Sequence, residues 1–270
     1  MTKKTIGIIG CGAIGTALAE YADKNLMAYI DKIVLYDNVV GTAEILVKKL
    51  KNASIAGSEV ELIKKVDLVI EAASPEAVRG LLKEVFARKK DIMIMSVGGL
   101  LGNEGFIDEA RKKGLRLMLP SGAIAGIDGL KSAAIAGIES VTLITRKGPK
   151  SIKGAPFLLE NHIDAEKITK ETVIFEGSAA EAVKGFPKNI NVSALLSIAG
   201  VGAEKTKVKI VVSPEYTKNI HEIEIKSKAG IITTRSENVP SPENPKTSYL
   251  AALAAIASLK GYFDTVQIGT

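Results

Sequence analysis

Along the first 120 residues, short runs of apolar residues alternate with segments in which apolar residues recur every three or four positions. Short apolar runs predict buried strands, and apolar positions spaced three or four residues apart predict helices. Strands are predicted at Thr5–Ile9, Lys32–Tyr36, Asp67–Ala72, Asp91–Val97 and Leu115–Leu119. Helices are predicted between them at Ile14–Leu26, Gly41–Leu50, Pro75–Arg88 and Glu104–Lys113. This alternation with short connections predicts an α/β fold with a doubly wound parallel sheet of the Rossmann type.

The alternation fades after Pro120, where strands begin to follow strands. Strand patterns occur at Val141–Arg146, Thr172–Phe175, Lys205–Val212, His221–Lys226 and Ile231–Arg235. Helical patterns occur at Gly126–Ala136, Ala179–Lys184 and Ile190–Ala199. Consecutive strands predict a mixed sheet with helices on one face, and therefore a second domain of the α+β class.

The C-terminal part of the chain begins with a polar stretch. Ser236–Asn244 contains prolines and asparagine and predicts a loop. Asn244 and Pro245 then predict the start of a last helix, with Asn as the N-cap and Pro in the first helical position. We expect Gly261 to end this helix. The predicted segments are therefore 1–120, 121–243 and 244–270, the last of which packs back on the first.

Composition narrows the classes of protein that this chain can be. Hydrophobic residues make up 46% and charged residues 24% of the chain, which excludes disorder as the main state. No apolar run approaches the roughly 18 residues of a membrane-spanning helix. The first residues do not form a signal peptide, so we expect a soluble cytoplasmic protein without a membrane partner. Abundant Lys with a single Gln gives a weak indication of a thermophilic source.

The net charge of +6 raises the question of nucleic-acid binding. The lysines are scattered among glutamates, however, and the absence of Trp leaves few stacking platforms, so we expect no nucleic-acid partner. One Cys and two His residues give no cluster for a metal ion, and we expect no metal site.

A glycine motif between the first predicted strand and helix carries the first indication of function. The segment Gly10–Gly15 has the form G-x-G-x-x-G. Gly10 permits a tight turn, Gly12 leaves room for a pyrophosphate, and Gly15 lets the helix pack closely on the strand. Asp37 ends the second strand 22 residues after Gly15, at the spacing of a ribose-hydroxyl acceptor. No Arg follows to neutralise a 2′-phosphate, which favours NAD and leaves NADP possible.

A second segment, at the end of the strand Asp67–Ala72, is predicted to border the same crevice. The small side chains of Ala72 and Ala73 would let a cofactor pass close to the backbone, and Ser74 follows them. The alternative is an ordinary helix start, with Ser74 as N-cap and Pro75 at the first position. The predicted cofactor-binding residues of the domain 1–120 are thus Gly10, Gly12, Ala13, Ile14, Gly15, Asp37, Ala72, Ala73 and Ser74.

His221 is the candidate catalytic residue. Strand alternation places it on one face with Ile223 and Ile225, near the start of its strand. A half-buried neutral imidazole is suited to accept or deliver a proton near neutral pH. The alternative is a core histidine whose hydrogen bonds are satisfied. His162 lies in a polar stretch and is predicted to be a surface residue.

Three polar segments could hold an anionic substrate, and each also has a plain structural interpretation. Lys188 and Asn189 precede an apolar helix and could form an anion site or cap the helix. Ser121 follows the last strand of the first domain and could approach a substrate or belong to a crossover. Thr247 could donate to a carboxylate or lie in a solvated first turn.

Five segments together resemble the L-aspartate dehydrogenase family, and the resemblance covers nearly the whole chain. They are the glycine motif Gly10–Gly15, Ser121–Asp128, Phe186–Val192, Asn219–Ile223 and Asn244–Tyr249. The last four are far more specific than the glycine motif. The resemblance implies NAD(P)-dependent oxidation of L-aspartate to iminoaspartate, which then yields oxaloacetate and ammonia or supplies quinolinate for NAD biosynthesis.

The resemblance also implies roles for single residues. His221 matches the family's catalytic histidine, and Ala123 and Asn189 match positions that contact the cofactor. It implies a homodimer formed through the sheet of the substrate and dimerisation domain, 121–243. The residues around Pro149–Ala165 are more numerous than the resemblance predicts, which leaves the role of this loop open.

The expected reaction is hydride transfer from C2 of aspartate to nicotinamide. Lys188, Ser121 and Thr247 are the candidates to hold the carboxylates. His221 would remove an ammonium proton or activate the water that attacks the imine, and the sequence does not separate these roles. The alternatives are another two-domain dehydrogenase or reductase of aspartate-derived compounds, resembling homoserine dehydrogenase or dihydrodipicolinate reductase, and a non-catalytic NAD-sensing protein.

Overall fold

The structure is a computed structural model that describes residues 2–39, 41–187, 190–242 and 247–269. The chain forms two compact units, residues 1–120 with 252–267 and residues 121–251 with 268–270. The second boundary falls after Ala251, whereas the sequence analysis placed it after residue 243. Ser248 pairs with Pro240 in an isolated antiparallel bridge, which keeps this stretch in the second unit.

The first unit is built on a six-stranded sheet in which every neighbouring pair is parallel. Its strands are β1 (Lys4–Ile9), β2 (Ile30–Tyr36), β3 (Ala53–Ile55), β4 (Leu68–Glu71), β5 (Asp91–Ile94) and β6 (Leu117–Met118). Their order is β3-β2-β1-β4-β5-β6, so the direction of winding reverses between β1 and β4. This is the doubly wound order whose crevice binds ligands at the reversal point, and the predicted fold class is confirmed.

The helices of the first unit follow the prediction, with one omission. They are α1 (Ala13–Asn25), α2 (Thr42–Val47), α3 (Glu59–Lys65), α4 (Pro75–Ala87) and α5 (Gly105–Lys113). The sequence analysis missed β3 and α3 because they have only three and seven residues, and it made α2 too long. One local signal was available, since Ser58 caps α3 by accepting a hydrogen bond from the Glu61 amide at 3.1 Å.

The C-terminal helix, α10 (Tyr249–Phe263), differs from its prediction at both ends. Asn244 and Pro245, the predicted start, lie outside the described residues, and Thr247 and Ser248 precede the helix. Gly261 does not end the helix, because the next two side chains are held by packing. Phe263 stacks on Tyr29 with 5.8 Å between ring centroids, and Tyr262 is buried in the core of the first unit.

The second unit contains a five-stranded mixed sheet of order β11-β10-β7-β9-β8. Its strands are β7 (Ile138–Lys147), β8 (Thr172–Ser178), β9 (Thr206–Val212), β10 (Asn219–Ser227) and β11 (Gly230–Asn238). Its helices are α6 (Ile127–Ala136), α7 (Pro156–Glu160), α8 (Ala179–Gly185) and α9 (Ile190–Ala199). Only β7 and β9 pair in parallel among these neighbours of the described sheet, and the predicted mixed sheet is confirmed.

Two segments of the second unit depart from the sequence analysis. The predicted loop Ser236–Asn244 begins too early, because Ser236–Asn238 continues β11 by pairing with β10 as far as Asn219. The segment Pro149–Ala165, whose role was left open, contains α7. Phe157 of α7 packs against the rings of Phe175 and Phe186, with centroids 5.3 and 5.4 Å away, so this segment contributes to the core of its unit.

The described ranges contain neither a membrane-spanning helix nor a cluster of metal-binding side chains. None of the helices found there combines the length and apolar character that crossing a membrane requires. Nor do the described residues contain a group of three or more His, Cys, Asp or Glu side chains that could hold a metal ion.

Candidate cofactor crevice and active site

The glycine motif forms the turn between β1 and α1. Gly10 has φ of +93°, and a Cβ at this position would overlap the carbonyl of Ala72. A Cβ on Gly15 would overlap the Gly10 carbonyl, so both positions require glycine for close packing. Beside Gly12, by contrast, the space within 4 Å is open, and Ala13 and Ile14 begin α1 next to it. The open side of Gly12 and the start of the helix form a cradle suited to a phosphate group.

Asp37 fixes the glycine turn to the end of β2. Its Oδ2 accepts a hydrogen bond from the Cys11 amide at 2.7 Å, and its Oδ1 accepts one from the Val39 amide at 2.8 Å. A carboxylate has lone pairs beyond these two bonds and can still accept from a ribose hydroxyl. Burial, together with the Asp37 charge, raises the pKa of the Cys11 thiol to about 12, so this cysteine stays protonated at neutral pH.

A crevice of about 320 Å³ opens at the reversal point of the parallel sheet. Its lining residues are Ile9, Gly10, Gly12, Tyr36, Asp37, Asn38, Glu59, Ala72, Ala73, Ser74 and Ala77. The structure therefore brings together six of the nine residues that the sequence predicts for the cofactor in this unit. The size is at the lower end of the range of small-molecule sites, and the turn and carboxylate suit a dinucleotide.

The crevice also contains a residue that the sequence analysis missed. Glu59 lines it from the first turn of α3, the helix that was itself overlooked. Burial, and secondarily the nearby Glu84, raises the pKa of the Glu59 carboxyl. The described lining residues include two carboxylates, Asp37 and Glu59, and neither Lys nor Arg.

Ser74 occupies a position that fits both interpretations of its segment, a crevice-lining residue and the start of a helix. It occupies the N-cap position of α4, with Pro75 at the first position of the helix, and it lines the crevice. Its side chain makes no capping hydrogen bond. The hydroxyl instead bonds to the carboxylate of Glu76 and helps to lower the pKa of that group.

A second missed residue, Glu71, lies at the carboxyl end of β4 and is fully buried. Its Oε1 accepts a hydrogen bond from the Ala73 amide at 2.8 Å. Its Oε2 accepts from the amides of Met95, at 3.2 Å, and Ser96, at 2.9 Å. Burial raises the pKa of this carboxyl while the amide bonds oppose the shift. Glu71 thus ties the segment Ala72–Ser74 of the crevice to the segment after β5.

His221 lies near the start of β10, on the face of the mixed sheet that the helices cover, and only 7% of it is exposed. The predicted alternation holds, since Ile223 and Ile225 share this face and are buried. Thr145 of β7 stands directly opposite His221 in the register. The Thr145 hydroxyl and the His221 Nδ1 atom are 3.1 Å apart, within hydrogen-bond distance.

Lys147 lies two positions beyond Thr145 on the same face of β7, and it too is only 7% exposed. Burial lowers the pKa of its ammonium group to about 8. The sequence analysis missed Lys147, although one signal was available. The alternation of Val141, Leu143 and Thr145 along β7 places the next such position, Lys147, on the buried face.

The imidazole of His221 is neutral over the whole physiological range. Burial, and secondarily the charge of Lys147, lowers the pKa of His221 to about 3. A neutral ring has one nitrogen that carries a proton and one that keeps a free lone pair, and the lowered pKa makes this free nitrogen a weaker base than that of an exposed imidazole.

A cleft of about 560 Å³ opens at the end of the mixed sheet where β7 ends and β10 begins. Its lining includes Gly148, directly after Lys147, and Asn219, two residues before His221. Lys150, Ser151, Glu166 and Lys218 are among the polar residues that line it. The cleft is large enough for a small dicarboxylate.

The other predicted site residues are spread over the second unit. Ala123 is buried, and its carbonyl accepts a hydrogen bond from Asn238 Nδ2 at 2.9 Å, which ties it to the end of β11. Ser121 and Thr247 are half-buried, and the Thr247 carbonyl accepts from the Ser241 amide at 2.7 Å. Lys188 and Asn189 lie outside the described residues.

Comparison with protein families gave two matches that together span most of the chain. A model described as "Aspartate dehydrogenase, C-terminal" matches residues 128–262. A model described as "Homoserine dehydrogenase, NAD binding domain" matches residues 10–120.

Individual relatives and solved structures resemble the chain over nearly its full length. An L-aspartate dehydrogenase of Methanococcoides burtonii is 48% identical over 98% of this chain and 99% of its own. One from Nitrosopumilus maritimus is 44% identical over 99% of this chain and all of its own. The crystal structure of an aspartate dehydrogenase from Thermotoga maritima superposes with a TM-score of 0.78 at 30% identity, covering 99% of this chain and 100% of its own. A homoserine dehydrogenase from Thiobacillus denitrificans, with a TM-score of 0.61 at 13% identity over 96% of this chain and 73% of its own, shares the fold alone.

Proposed function

This chain belongs to the L-aspartate dehydrogenase family, and we propose from this premise that it oxidises L-aspartate to iminoaspartate with NAD as its preferred cofactor. The similarity to L-aspartate dehydrogenases supports L-aspartate as the substrate. The glycine turn and its crevice support a dinucleotide as the cofactor. The observation that carries the reaction is the buried, neutral imidazole of His221 in the second unit. It supplies the base that oxidation of an amine requires.

The mechanism begins with the amino group of aspartate, which must lose a proton before C2 can give up a hydride. The free nitrogen of His221 accepts this proton, and Thr145 holds the ring through Nδ1. When bound, NAD supplies the acceptor for the hydride. His221 can afterwards polarise the water that attacks the imine, which gives oxaloacetate and ammonia. Alternatively, iminoaspartate leaves the enzyme intact and supplies quinolinate for NAD biosynthesis.

The preference for NAD over NADP follows from the charges of the crevice. Asp37 and Glu59 line it, and its described lining contains no Lys or Arg to neutralise a 2′-phosphate. A 2′-phosphate would meet these carboxylates and be repelled, whereas a ribose hydroxyl can donate to Asp37. In the second unit, Ala123 and Asn189 remain proposed cofactor contacts.

The carboxylates of aspartate need cationic or hydrogen-bonding partners. Ser121, Lys188 and Thr247 remain the proposed residues for this task. The cleft beside Gly148 adds Lys150 and Lys218 as further candidates, because it lies at the end of the sheet that carries His221. We also propose a homodimer, which the family resemblance supports, and a cytoplasmic location.

The test is the formation of NADH, followed by its absorbance, with purified protein and a panel of substrates. L-Aspartate should give a signal, while D-aspartate, L-glutamate, L-homoserine and other amino and hydroxy acids should give little or none. NADP in place of NAD should lower kcat/KM with L-aspartate. A preference for homoserine would favour the alternative dehydrogenase, and NAD binding without turnover would favour a sensing protein.

A further inference from the structure

The cofactor crevice of the first unit contains a carboxylate that neither the pyrophosphate nor the ribose of a dinucleotide requires. The open side of Gly12 and the start of α1 suit the pyrophosphate, and Asp37 can accept a hydrogen bond from the ribose. Glu59 lines the same crevice from the first turn of α3. The adenine base is the part of the adenosine half that remains to be assigned.

One side of the crevice is apolar and is built from small side chains. Ala72 and Ala73 follow β4, and Ala77 lies in the first turn of α4. The helices α3 and α4 are neighbours, so Glu59 and Ala77 line the crevice from adjacent helices. Small apolar side chains leave a surface on which a flat ring can lie close to the backbone. The crevice therefore offers a purine an apolar wall, with a carboxylate in the same lining.

The Glu59 side chain is half-buried, and within the described ranges no hydrogen bond or ion pair engages its carboxylate. Burial, and secondarily the like charge of Glu84, raises the pKa of Glu59, and no donor offsets this shift. Glu61 on the same helix shows the contrast, because its carboxylate accepts from the Lys65 amine and from the Gly57 amide, and its pKa is lowered. The Glu59 carboxylate is thus suited to a donor that arrives with a ligand.

Two neutral polar side chains, Asn38 and Ser74, also line the crevice, and neither can select one base sharply. The exposed Asn38 has an amide group, which can both donate and accept. The Ser74 hydroxyl can also do both, and it is bonded to Glu76. A carboxylate only accepts, so Glu59 can bond to a donor on a base and is repelled by an acceptor there. Adenine presents an amino group at C6, where hypoxanthine presents a carbonyl oxygen.

We propose that the Glu59 carboxylate accepts a hydrogen bond from the amino group of the adenine base and so selects adenine dinucleotides over those with an oxo group at C6. The inference rests on the proposed use of NAD and deepens it by assigning the base to a residue. Asp37 and Glu59 then share the adenosine half, with the ribose bound by Asp37 and the base by Glu59. Because Glu59 touches none of the reacting atoms, its replacement should change the affinity for the cofactor.

The test compares the binding of two reduced dinucleotides, NADH and nicotinamide hypoxanthine dinucleotide, to the protein without substrate. The two carry the same charge and the same nicotinamide fluorophore, and they differ only in the base. Fluorescence titration should show that the unmodified protein binds NADH about tenfold more tightly or better, because the analogue loses the hydrogen bond and turns an oxygen toward the carboxylate. Glu59→Gln should reduce this ratio to about threefold or less, because an amide can donate to the oxygen as well as accept from the amino group.

Glu44→Gln is the matched control, because it removes one negative charge from an exposed position of the same unit outside the crevice and should keep the ratio of the two affinities. Equal affinity of the unmodified protein for the two dinucleotides, which requires no variant, would overturn the inference. So would a ratio that survives in Glu59→Gln, including the case in which only the affinity for NADPH changes and Glu59 therefore faces the ribose.

The binding experiment also separates this inference from the proposed reaction, because it contains no aspartate. Selection of adenine through Glu59 by a protein that does not oxidise aspartate would refute the proposed function and leave the inference standing. A protein that binds neither dinucleotide would overturn both the inference and the proposed cofactor.

Discussion

The two units of the chain bury ionisable groups in different ways. In the first unit, the carboxyl group of Glu71 is fully buried and accepts hydrogen bonds from three backbone amides and from the Ser96 hydroxyl, all of them donors to it. In the second unit, His221 and Lys147 are buried on one face of a mixed sheet, and the partner of His221 is a side-chain hydroxyl. Backbone amides can only donate, whereas a hydroxyl can donate or accept.

This difference separates a site whose hydrogen bonds have fixed directions from one whose hydrogen bond can run either way. The amides around Glu71 have fixed direction, so they tie the segments after β4 and β5 into one arrangement. The Thr145 hydroxyl can donate to Nδ1 of His221 or accept from it, so this hydrogen bond fits either neutral tautomer of the ring. Fixed hydrogen bonds suit a site that binds a cofactor in one orientation. A hydrogen bond that can run either way suits a residue that accepts and releases a proton.

The largest expected effect comes from removing the base itself. His221→Ala should lower kcat by about 10² to 10⁴ and leave the affinity for NADH unchanged, because His221 neither lines the cofactor crevice nor is among the proposed cofactor contacts. Steady-state kinetics and NADH fluorescence measure the two quantities. His162→Ala is the matched control, since this exposed histidine should be dispensable. Turnover that survives in His221→Ala would remove the catalytic assignment.

Lys147 should destabilise the folded protein at neutral pH. Its pKa is lowered from 10.5 to about 8 by burial, so folding disfavours its charged form. The unfolded chain binds the proton more tightly, and the penalty is full below about pH 8 and disappears as the pH rises past 10.5. Lys147→Met, which keeps the apolar stem, should therefore raise the free energy of unfolding by about 3 kcal/mol at pH 7.

Denaturant unfolding at pH 7 and at pH 10 measures this effect. Lys207→Met on the neighbouring strand β9 is the control, because Lys207 is exposed and its replacement should change stability by less than about 0.5 kcal/mol. A destabilised Lys147→Met protein would mean that the buried ammonium is stabilised by its surroundings, contrary to the lowered pKa.

The same contrast explains how much the sequence could predict. The glycine turn is a local feature: Gly10, Gly12 and Gly15 lie within six residues, and the crevice lining found in the structure includes most of the residues predicted from spacing. Strand alternation likewise placed His221 on the buried face of β10. Such inferences succeed because neighbours along the chain determine them.

The residues that were missed depend on contacts between distant parts of the chain. Thr145 meets His221 across 76 positions, a pairing set by sheet register that no local pattern reveals. Glu71 contacts the amides of Met95 and Ser96 only because β4 and β5 are neighbours. The helix predicted from Asn244 instead starts at Tyr249, because Ser248 pairs with Pro240.

Glu71→Gln tests the rigidity of the first unit. The amide group of Gln keeps one acceptor oxygen but turns an NH₂ group toward backbone donors, so one or two amides lose their partner. We expect the free energy of unfolding to fall by about 1–3 kcal/mol and the KM for NAD to rise, with a smaller change in kcat. Thermal unfolding and initial rates at varied NAD measure these changes. Glu44→Gln, at an exposed carboxylate of the same unit that does not line the crevice, is the control.

The smallest expected effect concerns the choice of cofactor, and it tests whether the crevice recognises its ligand through Asp37. Asp37→Ser removes the acceptor for the ribose hydroxyl and for the Cys11 amide, together with one of the two carboxylates of the crevice. The kcat/KM for NAD should fall about tenfold, equivalent to about 1.4 kcal/mol, while that for NADP stays constant or rises. Asp31→Ser, at an exposed aspartate near the start of the strand that leads to Asp37, should change neither value. Equal losses for both cofactors would indicate that Asp37 only supports the glycine turn, and the preference for NAD would then have to come from Glu59.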